Sequence, residues 1–77
     1  MKHKFKIGTL IKGKNGKELF KNDVGLVLDN LVIDNCDFYK IYWLFFKDCQ
    51  GEANEEFEGK IKIRVVNYIN RNYEKIV

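Results

Sequence analysis

Apolar and polar positions divide the chain into five strand-like segments separated by turn signals. The cleanest covers residues 60–66, KIKIRVV, where charged and apolar residues alternate at the period of two that marks a half-buried strand. That alternation directs Ile61, Ile63 and Val65 inward. Residues 5–13 (FKIGTLIKG) and 24–33 (VGLVLDNLVI) read as the first and second strands, with an Asn15-Gly16 turn signal between them. The third, 38–48 (FYKIYWLFFKD), carries only Lys40 as a charge in its first nine residues, so it is apolar on both sides. Residues 49–59 form an acidic connection. The tail is read as a short 3₁₀ turn through YINRN followed by a last strand over 73–77 (YEKIV), because three Asn within 67–72 disfavour a helix.

Composition agrees with strands. Eight Ile, six Val, six Phe and four Tyr stand against one Ala, Ala53, in a chain of 77 residues, which is room for one domain and one core. Five short strands joined by compact turns predict a small barrel, since barrels leave few exposed edges.

The pattern IGTLIKG…DVGLVLDN…YKIYWL…YEKIV resembles the SH3-like small barrels, including KOW-type modules and the short barrel proteins of tailed-phage genomes. Ile7, Gly8, Leu10 and Ile11 match the first-strand pattern of that group, Gly25 and Val27 the second, and Ile41 and Trp43 the third. The resemblance implies an all-β, five-stranded SH3-like barrel spanning 1–77, with Gly8 and Gly25 where neighbouring backbones pass closely or bend. It also implies a small accessory protein acting in the host cytoplasm. The acidic connection is longer than that of the compact KOW unit.

Chemistry is sparse. There is no Ser, Thr9 is the only Thr and His3 the only His, which leaves almost nothing for nucleophilic catalysis, and the chain is read as a non-enzyme without a cofactor. His3, next to the terminus, is expected to be disordered. If the third segment is extended, Cys36 and Cys49 lie on the order of 35–40 Å apart, too far for a disulfide, and their spacing fits no zinc site. Asp29, Asp34, Asp37, Asp48, Glu52, Glu55, Glu56 and Glu58 form no calcium-loop pattern, so no metal site is expected. No apolar run reaches the ~20 residues of a membrane span, and no apolar segment follows the basic start, so a cytosolic protein is expected.

Two surfaces remain as candidates. Simple alternation along the third strand puts Tyr39, Ile41, Trp43 and Phe45 inside, with Lys40, Tyr42, Leu44 and Phe46 outside. Tyr42, Leu44 and Phe46 are therefore the candidate protein interface, covered by a second copy, by another protein, or by the chain's own tail or 14–20 loop through Leu19, Phe20 or Ile69. The alternative is nucleic acid. Residues 1–21 carry +6, 22–59 carry −7 and 60–77 carry +4, and a barrel that pairs its first and last strands would gather Lys4, Lys6, Lys12, Lys14, Lys60, Lys62 and Arg64 on one basic side.

Overall fold

The computed structural model describes residues 2–76; Val77, the expected end of the last strand, lies outside them. The strands are β1 (Leu10–Gly13), β2 (Val24–Ile33), β3 (Cys36–Phe45), β4 (Ile61–Val65) and β5 (Tyr73–Lys75). They form one sheet in the order β4-β3-β2-β1-β5, and every neighbouring pair is antiparallel. Its edges, β4 and β5, do not pair, so the sheet is not closed. β2 and β3 make a long hairpin through Asp34 and Asn35, both at positive φ. Two successive left-handed residues are what a two-residue hairpin turn requires, and Asp and Asn tolerate that conformation best after Gly.

The one 3₁₀ turn among the described residues is Glu18–Phe20 in the first connection. The segment before β5, expected as a 3₁₀ turn, is instead an α-helix, α1 (Val66–Asn72). Its three Asn are poor helix formers, at roughly 0.5 kcal/mol each relative to Ala. Burial of Val66 and Ile69 outweighs them, and Asn72 is buried with its amide donating to the Tyr68 carbonyl at 3.0 Å. The helix end is also tied to the residue after β1, where the Lys14 N–H donates to the Asn72 carbonyl at 2.9 Å.

The core consists of Phe5, Ile11, Val27, Tyr39, Ile41, Trp43, Val66, Ile69 and Tyr73. The Tyr39 hydroxyl joins three segments: it accepts the Lys4 and Phe5 N–H groups at 2.7 and 3.1 Å and donates to Asn70 Oδ1 at 2.7 Å. This corrects the expectation for His3, whose Nε2 lies 2.7 Å from the Phe38 carbonyl while its ring meets Tyr39 edge-on. Gly25 makes room for side chains rather than backbone, since a Cβ there would stand 2.8–2.9 Å from those of Ile41 and Trp43. Gly8 bends the chain at φ +91° with nothing within 4 Å. The tightest glycine is Gly13, where a Cβ would lie 2.0 Å from the Phe20 carbonyl oxygen.

Candidate interaction surface

Register decides which side chains share a face, because residues directly opposite on antiparallel strands point the same way. Tyr39 and Ile41 are core residues, and their β4 partners are Arg64 and Lys62. The charged residues of β4 therefore point to the core side. Ile61, Ile63 and Val65, expected inside, point outward opposite Tyr42, Lys40 and Phe38, and are 52%, 45% and 48% exposed. The physical reason is that β4 is an edge strand over a partly open interior. There the aliphatic stems of Lys62 and Arg64 pack inward while their charges rest on the Phe57 ring, 5.1 and 4.5 Å from its centroid.

The outer face is thus apolar across four strands. One row runs Leu10, Leu26, Tyr42, Ile61; another joins Leu31, Phe38 and Val65. Between them lies the row Asp29, Lys40, Ile63.

An extra residue in β3 adds to this face. Trp43 opposes Gly25 and Phe45 opposes Val24, which leaves Leu44 as a bulge. Two residues then stand against one, so Leu44 and Phe45 both emerge on the outer side and the alternation restarts one position later. Phe45, expected inside, is about half exposed. Phe46, expected outside, packs inward against Trp43 at 5.0 Å and stacks on Phe57 at 4.4 Å. Tyr42 and Leu44 remain on the outer face; Phe46 does not. The loop and tail side chains that were candidates to cover this face go elsewhere: Phe20 packs on Tyr68 and Tyr73, Ile69 is in the core, and Leu19 is exposed. Leu10, Leu44, Phe45, Ile61, Ile63 and Val65 together expose on the order of 500 Å² of side chain, the size at which a patch on a monomer marks an interaction site.

On the opposite side, at the seam between β4 and β5, a cavity of about 330 Å³ is lined by Trp43, Phe46, Phe57, Arg64, Val65, Tyr68 and Tyr73. Near its floor the Tyr73 hydroxyl donates to the buried Asp23 carboxylate at 2.6 Å. Burial pushes the Asp23 carboxyl up from 3.8 to about 6, against the lowering effect of the Tyr73 hydrogen bond and the Lys47 backbone. Tyr73 is raised well above the usual phenol range, first by burial and then by its bond to Asp23.

The basic residues lie on β1, on β4 and in the segments beside them. β1 does pair with β5 as expected, but Lys60, Lys62 and Arg64 belong to β4, at the other edge of the sheet, and to the residue before it. Lys12 lies on the outer side opposite Val24 and is paired with Glu74 at 3.8 Å. Lys4 sits over Phe5, whereas Lys6 is an exposed loop residue and Lys14 follows β1. Asp48 spends its side chain on the Gln50 and Glu52 amides, and Glu58 accepts the Phe46 N–H. Among the described residues no group of three or more His, Cys, Asp or Glu is placed to hold a metal ion. Cys36 and Cys49 are exposed free thiols. No helix among them is long and apolar enough to cross a membrane. Sequence reasoning missed the contribution of β4 to the outer face, because period two gives alternation without saying which set faces in. Comparison with protein-family models, with curated proteins and with solved structures finds no match for this chain.

Proposed function

We propose that this chain is a small SH3-like binding module that works without catalysis, docking a protein surface on the outer face of its sheet. The observation that supports the reading is the uncovered apolar surface built by Leu10, Leu44, Phe45, Ile61, Ile63 and Val65 around the half-buried Tyr42. Several large side chains held in water, each worth about 1.5–3 kcal/mol on full burial, are a standing source of binding energy. The resemblance to phage-encoded small barrels makes it an accessory protein of the host cytoplasm. A nucleic-acid role has less support, because Lys12 is paired with Glu74 and the charges of Lys62 and Arg64 rest on the Phe57 ring.

Affinity capture from source-cell lysate, with and without nuclease and with a Leu44→Glu/Ile63→Lys variant alongside wild type, tests the reading. Capture of a protein that survives nuclease and is lost in the folded variant is expected. Capture that vanishes with nuclease, or that the variant retains, overturns it.

A further inference from the structure

The outer face carries charge at its centre. A charged pair, Asp29 and Lys40, sits on the two central strands, directly opposite each other in the register and flanked by apolar rows on both sides, whereas the other pair on this side, Lys12 and Glu74, lies at the β1–β5 margin and is already joined at 3.8 Å. Neither has an ion-pair partner among the described residues. The Asp29 Oδ1 accepts only the N–H of Asn30 beside it, at 2.8 Å. Covering this face with an uncharged surface would desolvate one cation and one anion and leave them only each other. A partner that presents one acid and one base, a strand spacing apart, inside an apolar field gives each of them a second opposite charge.

The chain itself presents that surface, and we infer that the occupant of the outer face is a second copy, related by a twofold axis that sets Asp29 of each protomer against Lys40 of its partner. This rests on the protein-docking reading above and names its partner. The axis runs between the sheets, parallel to the strands and midway between β2 and β3. The four strands of the face are ordered β4-β3-β2-β1, so this axis passes through their centre. It lays β2 on the partner's β3, sets Leu26 against Tyr42 and Leu31 against Phe38, and brings the flanking β1 toward the partner's β4. Such a contact is self-complementary, as a twofold interface has to be, and it is an aligned sheet-on-sheet packing. The exposed side chains supply about 500 Å² per protomer. With the half-buried Leu26, Leu31, Phe38 and Tyr42 this approaches the ~800 Å² per partner of a standard stable interface.

Sedimentation velocity on the purified chain from 10 to 500 µM, as assay concentrations set by roughly micromolar affinity, reads the assembly directly. Wild type is expected to be dimeric at the upper end. Asp29→Lys and Lys40→Glu, each alone, place like charges together twice and are expected to weaken dimerisation by about a hundredfold. Mixed in equal amounts, the two variants are expected to associate again, because every cross-pair is then opposite in sign. Circular dichroism establishes that each variant is folded. If a reversed-charge variant is not, Lys40→Gln and Asp29→Asn are used, with a loss of about tenfold expected. Wild type that stays monomeric to 500 µM overturns the inference, and so does a folded single variant that dimerises like wild type or a mixture that stays monomeric. If wild type is monomeric yet the Leu44→Glu/Ile63→Lys variant still loses a captured protein, self-pairing fails while the docking reading stands.

Discussion

Asp23 is the group whose removal tests the energetics of the interior most directly. It is 1% exposed and its carboxyl is raised from 3.8 to about 6. The folded chain therefore holds this proton more tightly than the unfolded chain does. Between those two values the folded state binds more protons, so stability falls as pH rises through the window. The full deficit is present above about pH 6 and disappears below about pH 4. A shift of about two units corresponds to about 2–3 kcal/mol, a large fraction of what a chain of this size holds in total. Trp43, the only Trp and fully buried, reports unfolding by fluorescence. Urea titrations of wild type and Asp23→Asn between pH 4 and 7 isolate the term, because the other carboxylates are common to both. Wild type should gain about 2–3 kcal/mol relative to the variant on going from pH 7 to pH 4, a midpoint change of roughly 2 M at the slope of a small domain. Differences that stay flat within about 0.5 kcal/mol, or wild type losing ground on acidification, refute the reasoning.

Gly13→Ala should lower stability by about 3 kcal/mol or more, since its Cβ would meet a backbone carbonyl that cannot swing aside; Gly16→Ala, with open space around a positive φ, should cost only about 1 kcal/mol. Thermal melts of the two variants check the contrast. Phe46→Ala should cost about 3 kcal/mol and Leu44→Ala under about 1 kcal/mol by urea denaturation, because only Phe46 packs on Trp43 and Phe57. Equal losses would remove the bulge from the account. Oligonucleotide binding at ~50 mM salt should be weak, with a salt slope of no more than two or three phosphates. A steeper slope that Lys12→Glu and Lys62→Glu both flatten would show that the basic residues of the two edges act together.

Much of the fold was readable from the chain, and where it was not the causes differ. β2 has the bounds that the run VGLVLDNLVI between polar clusters gave it. Five strands follow from the short apolar runs and turn signals, whereas closure into a barrel does not, since β4 and β5 are not paired. The helix at 66–72 was hidden because intrinsic propensity argues against it and only tertiary burial of Val66 and Ile69 argues for it. For β4 the period was read correctly and the phase was not. Charged residues are expected in water, but an edge strand beside the partly buried Phe57 ring lets Lys62 and Arg64 lie inward. Of the candidate interface, Tyr42 and Leu44 stay on the expected side and Phe46 does not, because no feature of YWLFFKD announces where an extra residue enters the ladder. The pairing of Asp23 with Tyr73, 50 positions apart, left no local trace either.

That extra residue has a consequence for how the chain can change. A strand with unbroken alternation has a single reading frame, and an aromatic run written in it must divide evenly between inside and outside. The bulge at Leu44 is a frameshift inside β3: upstream, Tyr39, Ile41 and Trp43 are read toward the core, and downstream the core positions resume at Phe46. Deleting Leu44 would bring the two frames back into step and trim the outer face by one side chain, with Phe45 still read outward and Phe46 still read inward onto Phe57. Deleting Tyr42 instead would exchange the sides of the residues on one flank of the gap. β3 should therefore accept loss of a residue at the bulge far more readily than a change in length within its regular stretch.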